Sequence, residues 1–368
     1  MKAKSPDAVL IFRIGSLGDT LVALPAIRQI RRLHTGSRIA LLTNTPVDGG
    51  VRAASSTHVL AGMNLVDVSI QYEFGNREFW KLLQVVRKIR ATGAHLCYYL
   101  VANRSADQIR RDLLFLRLGG IRQVKGCNPD DLSHQKPKLG EIIWESEARR
   151  LMRAIGDGER CLTQADFSME LSPDEVTNAD VALRSAGIEG CFVTICLGTK
   201  SPANDWGDER WRECLRTLSA GVPGFGIVAI GTSAESARSD EVLGAWSGSK
   251  ANFCGRLSPR QSAALISRGT IYLGHDSGPM HMASAVATPI VAVFSARNQQ
   301  GIWFPFGQEN HVFYRDVACR GCGLDVCTVN KHICMAQINP KDVAARALEG
   351  IVRSDRTAGG RTMATYSP

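Results

Sequence analysis

The chain has no apolar run approaching the roughly 18 residues that a bilayer-spanning helix needs, so no segment reads as a transmembrane helix. Its first residues, MKAKSPDAVLIFRIGSLGD, hold one short apolar stretch, an acid soon after it and no small-residue cleavage site. That pattern is not a secretory signal. The expected location is therefore the cytoplasm, where the 11 cysteines would stay mostly as thiols. The sequence also lacks GxxxxGK followed by Ser or Thr, which disfavours P-loop chemistry, and it lacks the GxGxxG dinucleotide fingerprint. No short-period repeat is present. Aromatic residues make up only 7%, and no basic strand interleaves aromatics in the way base-stacking proteins do. Nucleic acid is accordingly not an expected partner.

What is present suits a two-domain globular protein: 368 residues, 44% hydrophobic and 21% charged. The net charge of +9 is uneven. Residues 1–160 hold 25 Lys and Arg against 15 Asp and Glu, while the remainder is close to neutral. By charge alone, a basic half points to something anionic, such as nucleic acid, a membrane surface or a phosphorylated glycolipid, or to ordinary solvated helix faces. Strand-like runs at 8–14, 38–43, 94–101, 191–197, 225–231, 270–274 and 289–294 alternate with helical patterns. This predicts an α/β fold with parallel sheets covered on both faces. Pro25 is expected to kink the helix at 20–34 or to sit in its first turns. The expected organisation is one lobe over 1–165, a second over 175–352, and a disordered tail over 353–368.

Three strand-to-helix loops carry the candidate chemistry. In YLGHDSGPMHMASAVATPIVAVF, a buried strand ends at a turn holding Asp276, Ser277 and Gly278, and Pro279 opens a helix. Gly278 allows close backbone approach, and the helix N-terminus favours a diphosphate. His281 lies in reach of the same ligand. Asp276 and Ser277 also read as simple N-caps, and His281 as a structural histidine. In RIGSLGDTLVALP, Gly15 and Gly18 flank a loop before Asp19, which reads as a helix cap or as a base for a substrate hydroxyl. In GTKSPANDWGDERW, Thr199 and Lys200 leave a strand, and Lys200 supplies a cation or is a surface lysine.

Together these stretches, with VAIGTSAE and NFCGRLSPRQSAALISRG between them, resemble the heptosyltransferases of glycosyltransferase family nine over about residues 8–352. The resemblance implies a GT-B fold: two Rossmann-like lobes with an interlobe cleft, the N-terminal lobe taking the acceptor and the C-terminal lobe the nucleotide sugar. It implies an enzyme, an inverting, metal-independent glycosyltransferase. Such an enzyme moves a heptose-type sugar from a nucleotide diphosphate donor, often ADP-heptose, to a lipopolysaccharide-core or other anionic glycan acceptor. Work on such an acceptor would place it at the cytoplasmic face of the inner membrane, peripherally. By the same resemblance Asp19 is the general base, with Gly18 beside it. Thr199, Lys200, Glu235, Asp276, Ser277, Gly278 and His281 hold the donor. Many members carry Lys two residues before the loop tryptophan; here that position is Asn204, before Trp206. A GT-B transferase or epimerase using a UDP- or GDP-sugar, and a non-catalytic nucleotide-sugar-binding protein, are the other readings.

CRGCGLDVCTVNKHIC places Cys319, Cys322, Cys327 and Cys334 within sixteen residues. Four thiols at this spacing suit a closed structural zinc or iron site, or else free thiols packing a loop.

Overall fold

The computed structural model describes residues 6–45, 56–73, 78–101 and 104–358. The chain divides into two compact units, Met1–Glu170 with Gln300–Trp303, and Leu171–Gln299 with Phe304–Pro368. The short return segment was not foreseen. It joins the first unit where the Trp144 and Glu147 N–H groups donate to the carbonyls of Gln300 and Ile302, at 2.8 and 2.9 Å.

Among the described residues the first unit holds β1 (Ala8–Arg13), β2 (Arg38–Thr45), β3 (Val68–Glu73), β4 (Leu96–Tyr99) and β5 (Gln123–Lys125). They form one sheet in the order β3-β2-β1-β4-β5, and every pairing is parallel. All six residues of β1 are buried. A central parallel strand is covered on both faces, so it reads as a continuous apolar run rather than an alternation. The second unit holds β6 (Phe192–Cys196), β7 (Gly226–Ala229), β8 (Lys250–Asn252), β9 (Ile271–His275), β10 (Ile290–Phe294) and β11 (His311–Tyr314). Its order is β11-β10-β9-β6-β7-β8, again parallel throughout.

Each unit has its own core. Leu10, Phe12, Leu42, Ile89 and Leu116 belong to the first, and Ile195, Trp211, Leu215, Ile227 and Leu273 to the second. Pro25 lies in the first turn of the helix Leu24–Leu33, which follows directly on the helix Leu17–Val22. One interrupted pattern thus becomes two helices, because the ring removes a backbone donor that a continuous helix would need. The final helix, Pro340–Ala358, continues past Val352 into the segment expected to be a tail. Residues 359–368 lie outside the described residues. Among the described residues no helix is long and apolar enough to cross a membrane.

Candidate active site

Both sheets reverse direction at one point. In the second, the chain runs outward one way through β7 and β8 and the other way through β10 and β11, so β6 and β9 lie side by side at the reversal. Their register pairs Cys196 with Gly274. The loops leaving these two strands therefore emerge next to each other at the carboxyl edge, where open α/β sheets bind ligands. One loop carries Gly198, Thr199 and Lys200. The other carries Asp276, Ser277 and Gly278. The topology brings together what the sequence showed as separate loops.

Asn204 ties them. Its Nδ2 donates to the Asp276 carbonyl at 3.3 Å, and its Oδ1 accepts from Ser295 Oγ at 2.5 Å. The residue is buried, so its amide holds three loops in place. Lys200 is exposed and Thr199 half-buried, with Thr199 Oγ1 donating to the Ser201 carbonyl at 3.1 Å.

Ser277 stands at the N-cap of the helix Gly278–Ala285, with extended backbone, yet its side chain makes no capping hydrogen bond. The contrast with Ser258 is direct: there the hydroxyl accepts from the Gln261 N–H and closes a capping box. The helix end beyond β9 is thus not closed by its own serine, and simple capping does not account for Ser277. His281 is buried in the first turns of this helix.

Glu235 reaches the same edge from the turn after β7. Its Oε2 accepts the Thr232 N–H at 2.8 Å. A Cβ at Gly198 or Gly231 would overlap the carboxylate. Both glycines are therefore required by the close seating of Glu235 against the β6 loop.

Beneath the loops lies a network that sequence reasoning missed. His275, the last residue of β9, is fully buried. Its Nε2 accepts from the Trp206 N–H at 3.0 Å and from Trp211 Nε1 at 3.1 Å. An acceptor of two N–H bonds is a neutral imidazole with its proton on Nδ1. Burial pushes its pKa down to about 4. Arg238 donates from Nε to Asp208 at 2.6 Å and from Nη2 to Asp205 at 2.8 Å. His275 stands beside Asp276 in the sequence, and two tryptophans follow the Lys200 loop. That spacing was visible; the pairing was not.

In the first unit, Asp19 and Gly18 lie in the helix Leu17–Val22, Gly18 buried. Asp19 Oδ2 accepts from the Ser16 N–H at 2.6 Å and from Ser16 Oγ at 2.7 Å. Oδ1 lies 3.8 Å from Arg13 Nη2, and the side chain stays 29% exposed. A Cβ at Gly15 would overlap the Asp19 side chain. Asp19 is thus the reciprocal partner of the helix cap through Oδ2, while Oδ1 faces Arg13 and the side chain keeps partial access to solvent. This loop follows β1, which with β4 marks the reversal point of the first sheet.

Residues 134–332, more than half of the chain, match Glycosyltransferase family 9 (heptosyltransferase). The chain belongs to glycosyltransferase family 9. Lipooligosaccharide heptosyltransferase 2 of Campylobacter jejuni is 27% identical over 97 residues, 26% of this chain and 30% of that one. The match thus spans about a third of that relative's length. The likeness in fold extends over nearly all of the chain. A family 9 glycosyltransferase from Veillonella parvula superimposes with a TM-score of 0.73 at 15% identity, covering 96% of this chain and 99% of that one. The E. coli ADP-heptose lipopolysaccharide heptosyltransferase II does so with 0.67 at 16%, covering 95% and 99%. The α/β fold with two parallel sheets is the fold of these family 9 enzymes.

The four clustered cysteines of this family 9 chain line one small, partly open cavity of about 20 Å³, together with His332 and Arg297. Cys334 is buried, which pushes its thiol pKa up. Cys322 is exposed. Cys327 Sγ donates to the Val329 carbonyl at 2.9 Å. Among the described residues no three His, Cys, Asp or Glu side chains are arranged to hold a metal ion. The donor chemistry suits zinc or iron; the placement of the sulfurs does not form a ligand set.

Proposed function

We propose that the protein is an inverting glycosyltransferase that moves a heptose-type sugar from ADP-heptose to a lipopolysaccharide-core or similar anionic glycan. The observation that carries this reading is the meeting of the β6 and β9 loops at the reversal point of the second sheet, beside a helix end that Ser277 does not close. Backbone N–H groups of that helix and the ammonium of Lys200 suit a diphosphate. Glu235 suits the ribose or base, and Asp276 and His281 the sugar. The Asp19 carboxylate takes the acceptor hydroxyl proton as that oxygen bonds to the anomeric carbon. The anomeric carbon–phosphate oxygen bond breaks on the opposite side, and the electron pair leaves with the nucleoside diphosphate. Stabilising that leaving charge is the task of the helix N-terminus and Lys200. The working location is the cytoplasm, at the inner face of the membrane that carries the acceptor.

A second donor class is raised by one residue. Position 204, where the resemblance leads one to expect Lys, is here a buried Asn engaged with Asp276 and Ser295, so a different donor sugar or nucleotide, such as a UDP- or GDP-sugar, is the alternative. Calorimetry with ADP-heptose, ADP, UDP and GDP separates the two. Adenine nucleotides are expected to bind, and Asp276→Ala to lose them. Asp19→Asn is expected to keep donor binding while transfer falls by about 100-fold or more. Transfer that survives Asp19→Asn removes the base assignment. Binding of no nucleotide removes the whole reading.

A further inference from the structure

We propose that the outer face of the two helices following β3 and β4 docks the protein on an anionic lipid bilayer. This rests on the reading above of a membrane-borne acceptor and names the surface that would reach it.

The helices are Phe79–Ala91 and Ala106–Leu118. They pack beside one another: Arg90 Nε donates to the Leu118 carbonyl at 2.7 Å. Their inner sides, through Val85, Ile89 and Leu116, belong to the core of the first unit. Their outer sides are unusual in two respects. The first is apolar exposure. Phe79 and Trp80 are 68% and 71% exposed, and Leu114 and Leu118 are 59% and 50% exposed. Phe79 and Trp80 pack edge-on against each other, ring centroids 5.3 Å apart. A large exposed aromatic pair costs solubility unless something covers it.

The second is charge. The helix Phe79–Ala91 carries Lys81, Arg87, Lys88 and Arg90 and no acid. The helix Ala106–Leu118 carries Arg110, Arg111 and Arg117 against Asp107 and Asp112. Asp112 faces inward and accepts from the Tyr99 hydroxyl at 2.7 Å. Lys81 is engaged by Glu73 and Glu78, and Asp107 lies 3.5 Å from Arg110. Arg87, Lys88, Arg111 and Arg117 are exposed, and among the described residues no ion pair offsets them.

Basic side chains around exposed Trp, Phe and Leu match a bilayer interface: the ring system sits among headgroups, and the guanidinium groups meet anionic phosphates. Topology adds a reason for the placement. The strands are parallel, so the N-terminus of the helix after β3 lies at the carboxyl edge of the sheet. The Asp19 loop leaves β1 at that same edge. Phe79 and Trp80 would touch the lipid on the side where a membrane-borne hydroxyl must meet the carboxylate.

The test is co-sedimentation of the full chain with vesicles of phosphatidylglycerol and phosphatidylcholine in equal parts, and with phosphatidylcholine alone. Expected is binding to the mixed vesicles, about tenfold weaker on phosphatidylcholine and weakened again by salt. Two variants remove separate parts of the surface: Phe79→Ala with Trp80→Ala, and Arg87→Glu with Lys88→Glu and Arg117→Glu. Each is expected to lose about tenfold in vesicle binding while its circular dichroism and ADP binding match the parent. Equal binding to both vesicle types overturns the proposal. So does binding to neither, or parental binding by both variants. Nucleotide binding is measured in parallel: its absence sinks the transferase reading and leaves the vesicle result to stand by itself.

Discussion

His275 governs its loop without being a candidate ligand contact. It accepts N–H groups from Trp206 and Trp211 and so fixes the turn that carries Asn204 against β9. A histidine held at a pKa of about 4 when folded, and near 6.5 when unfolded, stabilises the fold fully above pH 6.5. As pH falls from 6.5 towards 4 the unfolded chain takes up a proton that the folded chain refuses, and that stability is lost. The shift corresponds to about 3 kcal/mol at most. Asp205 acts in the same direction. Burial raises its pKa, but Arg238 and its other partners outweigh burial and hold it below the ordinary 3.8, so its contribution is lost only at still lower pH. Urea denaturation between pH 7 and 4.5 is therefore expected to show falling stability. His275→Gln, which keeps one acceptor, is expected to cost about 1–3 kcal/mol at pH 7, with the gap to the parent narrowing in acid. A gap that stays constant with pH would mean that His275 is not the group that titrates. The sequence made Asp276, Ser277 and Gly278 legible because Pro and Gly punctuate a strand end. It hid His275 and the pairing of Asn204, because their partners lie tens of residues away and meet only once β6 and β9 are neighbours.

At the scale of elements, the helix Glu147–Ala154 shows what patterning alone does not reveal. Glu147 is fully buried, and its two oxygens take Arg150 Nη2 and Nε, each at 2.7 Å. Arg13, at the end of β1, lies 4.0 Å from the same carboxylate, and His134 Nε2 lies 3.3 Å away. Arg13 also donates to the Leu100 carbonyl beyond β4 and to the Asp19 carbonyl. One carboxylate thus offsets buried cations on two elements. Removing one partner from such a cluster leaves uncompensated charge, which costs about 3–5 kcal/mol. Glu147→Gln is expected to lower unfolding free energy by about that much in denaturant titration. A loss below about 1 kcal/mol would show that apolar packing, not the ion cluster, holds the helix. The strands β1, β2, β4, β6, β7, β9 and β10 were legible because burial on both faces writes them as apolar runs. The edge strands β3, β5, β8 and β11 carry exposed or half-buried positions and lack that signature.

For the whole molecule, two sheets with separate cores give a prediction that activity assays do not. The proposed donor residues belong to the second unit alone: Thr199 and Lys200 after β6, Glu235 after β7, and Asp276 to His281 after β9. The number of sheets could be read from alternating strand and helix patterns. The strand order could not, because pairing of β6 with β9 joins residues nearly eighty apart. A ligand that binds only the folded state raises the free energy of every opening that destroys its site, by about 2.7 kcal/mol at 100 times its dissociation constant. Amide exchange with and without ADP reads this residue by residue. Slowing is expected in the loops at 198–200, 232–235 and 276–281 and in the sheet from β6 to β9. The amides of β1 and β2 are expected to exchange at unchanged rates. Protection centred on Gly15 to Asp19 would instead put the nucleotide in the first unit, and the assignment of donor and acceptor sides would reverse.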